Sequence, residues 1–212
     1  MIREESRLDA RIIRMPLILA SASPRRKDLL HSVGLHPSVI PSETDETVDP
    51  SLPPQEAAME LAARKARQVA ERLRKAGETD GVVIGADTVV YIDGEMLGKP
   101  ADAGDAVRML TKLQGREHRV YTGVCLADVA GTRQLTGYRE TRVRMKPLSA
   151  ERIRRYVATG ECFDKAGAYA VQGQGALLVE SILGDYSNVV GLPLSLIDDM
   201  LAEFGIEPLD AE

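Results

Sequence analysis

The chain has 212 residues, 27 of them Lys or Arg and 32 Asp or Glu, for a formal net charge of −5. Hydrophobic residues make up 44% and charged ones 28%, an ordinary balance for a globular fold, so disordered, collagen-like and coiled-coil chains are excluded. The acidic surplus argues against general binding to nucleic acid or an anionic membrane, because phosphate would be repelled.

Two cysteines, Cys125 and Cys162, form no CxxC pair, so neither a disulfide framework nor a structural zinc site is expected, and the usage fits a reducing cytosol. His31, His36 and His118 have no metal-ligand spacing. No apolar run approaches the roughly 20 residues that span a bilayer. Residues 1–14 carry Glu4, Glu5 and Asp9 and lack the apolar stretch of a secretory signal. They read as a leader outside the fold, with residues 15–212 as a single domain. The expected location is the cytoplasm.

In chain order, Leu17–Ala20 is a short apolar run and reads as a buried strand. Pro24 suits the first turn of a helix and Ser23 can cap it, so a helix is predicted from Pro24 to about Val33, closed by Gly34. A strand is expected over Ser38–Pro41, then an acidic, proline-bearing loop to Pro54. Met59, Ala62, Ala63, Ala66, Val69, Ala70 and Leu73 recur at helical spacing within roughly 120° of the circumference. Gly81–Ile92 is a long β-branched run, and Asp93-Gly94 signals a hairpin. Asp102 is expected to cap a helix to about Leu113. Strands are predicted near Arg119–Ala127 and Gln134–Met145. Ser149 opens a helix ending near Gly160. A glycine-rich stretch, Gly167–Gly175, leads into Ala176–Ile182, and Pro193 opens a last helix. This mixture implies an α/β fold with a mixed sheet.

Chemistry has several candidate seats. At Ser21-Ala22-Ser23-Pro24-Arg25-Arg26-Lys27 a strand stops and a helix opens with three cations. Cations there oppose the helix macrodipole, so the arrangement suits a bound anion, with serine hydroxyls, backbone N–H groups and arginine forks around a phosphate. A capped helix with a solvated basic face is the plain alternative. Asp87 stands in the apolar run VVIGADTVV and needs a lysine, a metal or hydrogen bonds to offset its burial, unless it lies on an edge facing water. Lys65 lies about 40° beyond the apolar stripe of its helix, where a snorkelling surface lysine is the commoner outcome. Pro100 holds Lys99 extended. The loop around Glu46 could add oxygen ligands to Asp87 in a Mg²⁺ site, or simply face solvent. Gln172, in the glycine-rich stretch, offers a donor and an acceptor to the edge of a base. His31 and Cys125 read as structural.

These segments together resemble the Maf family of nucleoside triphosphate pyrophosphatases. The matching pieces are LILASASPRRKDLL, ELAARKA, VVIGADTVV, LGKP, GREHRVYTGV and DKAGAYAVQGQGALLVESILGDYSNVVGLPL, in order along nearly the whole chain after residue 15. The resemblance implies a mixed, strongly bent sheet flanked by helices, with two lobes around a deep cleft, akin to the inosine triphosphate pyrophosphatases. It implies hydrolysis of a nucleoside triphosphate to monophosphate and pyrophosphate with Mg²⁺ or Mn²⁺, and a homodimer. It casts Asp87 as proton acceptor or metal ligand, and Lys65 and Lys99 as catalytic cations. Ser21, Ser23, Arg25 and Arg26 would face the substrate, and Glu46 would join Asp87 at the metal. Arg25, Thr88 and Gln172 match the branch acting on dTTP and UTP. The tryptophan and glutamine typical of the 7-methyl-GTP branch are missing, and Gly98 stands where the family often has Glu. A regulatory binding module in septum formation is the alternative from another class.

Overall fold

The computed structural model describes residues 15–210; the expected leader, residues 1–14, lies outside them. Among the described residues, seven strands form one mixed sheet. They are β1 (Leu17–Leu19), β2 (Ser38–Val39), β3 (Val82–Ile92), β4 (Glu95–Leu97), β5 (Glu117–Asp128), β6 (Gln134–Met145) and β7 (Val179–Leu183). The order is β2-β1-β3-β5-β6-β7, with β4 folded back on β3. β1 runs parallel to both β2 and β3, and every other pairing is antiparallel.

Among the described residues, six α-helices cover the sheet: α1 (Pro24–Ser32), α2 (Pro54–Lys75), α3 (Ala103–Leu113), α4 (Ala150–Ala158), α5 (Tyr186–Val190) and α6 (Leu194–Glu203). Asp102 caps α3 through the Asp105 N–H at 2.8 Å, and Ser149 caps α4 through the Arg152 N–H at 3.2 Å, as their side chains predict. Ser23 occupies the cap position of α1 but makes no capping bond with its side chain. Its own N–H is taken by Ser21 Oγ at 3.2 Å. The strand β2 is shorter than predicted, and Gly173–Leu178 forms 3₁₀ turns before β7 begins.

The alanine stripe of α2 has a specific partner. A Cβ on Gly85 would stand 2.2 Å from the Ala62 carbonyl oxygen, and one on Gly123 would stand 2.3 Å from that of Ala58. Small residues on the helix therefore meet two glycines placed diagonally on the neighbouring strands β3 and β5, and the helix backbone rests directly on the sheet. Ala62, Ala63, Ala66, Val69, Val83 and Cys125 are buried there.

On the opposite face, Leu19, Leu30, Ile84, Leu126, Ile197 and Leu201 pack under α1 and α6. A third cluster lies farther along the sheet, where Met109, Leu110 and Leu113 of α3 and Ile153 of α4 meet Val90, Val143 and Met145. Among the described residues, no helix is long and apolar enough to cross a membrane.

Candidate functional site

Two features of topology open a cleft. From β1 the chain leaves through α1 to β2 on one side and returns through α2 to β3 on the other, so β1 and β3 mark a topological switch point, where a crevice forms beyond the carboxyl ends of parallel strands. Along the edge of β3, β1 pairs only with Val82, Val83 and Ile84, and β4 pairs only with Val90, Tyr91 and Ile92. Among the described residues, no strand pairs with Gly85–Val89 on that side. The cavity at this gap has a volume of about 690 Å³ and reaches from Ser21 and Arg26 to Lys99, Tyr169 and Gln172. That lies within the range of small-molecule sites.

Asp87 and Thr88 follow one another on β3 and so point to opposite faces. Asp87 shares the α2 face with Gly85, which is why Lys65, one turn beyond Ala62 on the closely seated helix, can reach it. Lys65 Nζ donates to Asp87 Oδ1 at 2.6 Å and to Glu46 Oε1 at 2.6 Å. Lys99 Nζ reaches the other Glu46 oxygen at 3.3 Å. Lys65 is buried, contrary to the snorkelling position its place on the stripe suggested. The glycine contacts draw α2 close enough to enclose it. Burial pushes the Glu46 carboxyl up, but the two lysines outweigh that and hold it below its ordinary value. Asp87 Oδ2 has no protein partner among the described residues.

Thr88 faces the other way, towards α1 and α5. Arg26 Nη2 donates to Thr88 Oγ1 at 3.2 Å, Arg26 Nη1 to Ser21 Oγ at 3.1 Å, and Arg26 Nε to the Gly191 carbonyl at 2.7 Å. Burial pulls the guanidinium below its ordinary value, while Asp87 pulls it back. Arg25 reaches across the cleft to Asp164 at 2.9 Å. Burial raises Asp164, but bonds from Lys165 and Arg25 overcome it and hold it at about 2.

The glycine-rich stretch folds around an acid. Glu161 accepts the N–H groups of Gln174 and Gly175, both at 2.9 Å, and the Tyr156 hydroxyl at 3.1 Å. A Cβ on Gly175 would sit 2.3 Å from the Ala170 carbonyl oxygen. Gly175 therefore lets the chain close tightly on itself. Gln172, shortly before it, is exposed on the cavity wall.

A family model described as Maf-like protein matches residues 16–204. The chain belongs to this family. It is 52% identical over 189 residues to the dTTP/UTP pyrophosphatase of Symbiobacterium thermophilum, covering 89% of this chain and 94% of that protein. It is 49% identical over 193 residues to the dTTP/UTP pyrophosphatase of Pelotomaculum thermopropionicum, covering 91% and 98%. The protein of the same name from Caldicellulosiruptor saccharolyticus is 45% identical over 196 residues, covering 92% and 98%.

In this Maf-like chain Ser21, Ser23, Arg25, Arg26, Glu46, Lys65, Asp87, Thr88, Lys99 and Gln172 all line one cavity, whereas Lys27, the third cation at the start of α1, is exposed outside it. Sequence reasoning did not find the residues behind them: Thr122, Asn188, Gly191 and Glu161. Thr122 and Asn188 lie within the YTGV and DYSNVVG segments, yet nothing about their type announced a role.

For a divalent cation the donor chemistry fits. Asp87 and Glu46 are hard oxygen donors on one side of the cleft, and Mg²⁺ is commonly held by one or two carboxylates with phosphate and water completing its shell. Among the described residues no group of three or more Asp, Glu, His or Cys could hold a metal by itself, so substrate oxygens would have to share the ion.

Proposed function

We propose that this protein hydrolyses dTTP and UTP to the nucleoside monophosphate and pyrophosphate. The observation that carries the reading is Asp87, held by buried Lys65 on a cleft floor whose rim bears Arg25, Arg26 and Lys99. The names of the relatives agree with it.

A triphosphate carries about four negative charges and repels a nucleophile until they are offset. Arg25, Arg26 and Lys99 would bind its oxygens, with the Ser21 and Ser23 region at the start of α1. Lys65 holds Asp87 through Oδ1 and leaves Oδ2 to orient a water and take its proton. The new bond forms between the water oxygen and the α-phosphorus. The bond from that phosphorus to the bridging oxygen breaks, and pyrophosphate leaves. Asp87 and Glu46 would hold Mg²⁺ or Mn²⁺, which supplies further positive charge to the phosphates. Gln172 offers its amide to the pyrimidine edge. The homodimer implied by the resemblance belongs to the same proposal and is checked by light scattering.

The deciding assay measures pyrophosphate release, coupled to an inorganic pyrophosphatase, across the common ribo- and deoxyribonucleoside triphosphates, with and without EDTA. UTP and dTTP turn over fastest, and EDTA stops the reaction until Mg²⁺ or Mn²⁺ is restored. Asp87→Asn loses at least about 1,000-fold in kcat with an unchanged far-UV circular dichroism spectrum. A purine preference, or near-wild-type turnover by Asp87→Asn, overturns the reading.

A further inference from the structure

The hydroxyls behind Arg26 form a chain with one direction. Thr122 is fully buried on β5, opposite Thr88 on β3. Its Oγ1 donates to the Asn188 carbonyl at 2.9 Å, which supplies that buried carbonyl with its donor. A threonine hydroxyl has a single proton. With that proton committed to Asn188, the 2.9 Å contact between Thr88 and Thr122 requires Thr88 to donate and Thr122 to accept. Thr88 then has no proton left, and it meets Arg26 Nη2 purely as an acceptor. The order runs from Arg26 to Thr88 to Thr122 to the main chain of α5.

The far end of this chain is rigid. Asn188 is fully buried, and its amide nitrogen donates to the Val120 carbonyl at 3.1 Å and to Thr141 Oγ1 at 2.9 Å. The same short helix ends at Gly191, whose carbonyl takes Arg26 Nε. α5 thus grips the guanidinium twice, directly at Gly191 and through two hydroxyls from Asn188. With Ser21 on Nη1, three of the five N–H groups of Arg26 are fixed, leaving one on each terminal nitrogen for the cleft.

We propose that Thr122 is a positioning residue for the triphosphate: by accepting the Thr88 proton it makes Thr88 the acceptor that aims Arg26 at a phosphate. This rests on the reading of Arg26 as a phosphate ligand. Thr122 itself touches no substrate. Without its hydroxyl, the Thr88 proton has no partner behind it and competes with Arg26 for the space in front.

The test compares wild type, Thr122→Val and Thr122→Ser by UTP kinetics and by calorimetric titration with inorganic tripolyphosphate. Valine keeps the shape and removes the hydroxyl; serine restores the hydroxyl. In Thr122→Val the KM for UTP and the Kd for tripolyphosphate both rise about tenfold, the loss expected for one hydrogen bond to a charged group, while kcat stays within about threefold. Thr122→Ser returns both towards wild type. Should Thr122→Val fail to fold, Thr88→Val breaks the same chain at a less buried position and must show the same rise. Unchanged KM and Kd overturn the proposal. So does a fall in kcat alone, the mark of a smaller folded fraction, or a serine variant as impaired as the valine one. A wild type that hydrolyses no triphosphate yet binds tripolyphosphate overturns the proposed activity instead, and the titration then decides the role of Thr122 by itself. A wild type that does not bind tripolyphosphate overturns both.

Discussion

Lys65→Met tests the floor of the cleft most directly. Lys65 Nζ lies 2.6 Å from Asp87 Oδ1 and 2.6 Å from Glu46 Oε1, so those two oxygens are held within about 5 Å of one another. Methionine keeps an unbranched apolar stem and removes the charge between them. At about 5 Å and an effective dielectric constant of about 20, the bare repulsion is about 3 kcal/mol. The Glu46 side chain is 46% exposed and can swing away, so solvent screening reduces this to about 1–2 kcal/mol. The loss depends on pH. Despite burial, Glu46 is held below its ordinary value by Lys65 and Lys99. A carboxyl depressed in the folded state stabilises fully above its unfolded value of about 4.3, and that stabilisation fades as pH falls through the folded value. The gap between wild type and variant is therefore full near pH 7 and closes only as pH falls from about 4.3 through the lower folded value. Urea unfolding followed by far-UV circular dichroism, run near pH 7 and at about pH 2, measures it. A gap below about 0.5 kcal/mol near pH 7, or one of the same size at about pH 2, refutes the electrostatic account of this triad.

Two further substitutions probe the scaffold. Gly85→Ala drives a methyl group to 2.2 Å from the Ala62 carbonyl oxygen, so it costs about 3 kcal/mol or more in urea unfolding, and normal stability would show that α2 does not sit against β3 as described. Glu161→Gln weakens the acceptor for two N–H groups and one hydroxyl, so the segment carrying Gln172 loosens. Its KM for UTP rises several-fold with a stability loss of about 1–2 kcal/mol, and an unchanged KM would detach that segment from substrate binding.

Much of this arrangement was legible in the sequence because its signals are local. The β-branched run at Gly81–Ile92, the cap at Asp102 and the proline at the start of α1 each declare an element within a few residues. In the candidate site, Asp87 was legible from its apolar surroundings and Arg25 and Arg26 from their place at a helix start, whereas Lys65, Lys99 and Glu46 stood out only through the family resemblance. What stayed hidden depends on distant contacts. The helix α5 has five residues, too few for a periodicity, and it is held by the Asp185 cap and by buried Asn188. The position of Lys65 on its helix suggested the surface. Its burial follows from two glycines on other strands, and no helical wheel contains them. Thr122 looked like any β-branched strand residue, and its meaning comes from a carbonyl 66 residues away.

The gap along β3 has one more consequence. A bare strand edge is an invitation to other chains, because its N–H and C=O groups can template a foreign strand and start aggregation. Here β1 and β4 fence the five open residues at both ends, and the walls of the cleft leave a cavity of small-molecule size beside them. A feature that would be a hazard on the outside of a sheet thus becomes a recess. Its main-chain lining does not change when side chains are substituted, so preference for one guest over another can drift through the residues around it while the recess itself persists.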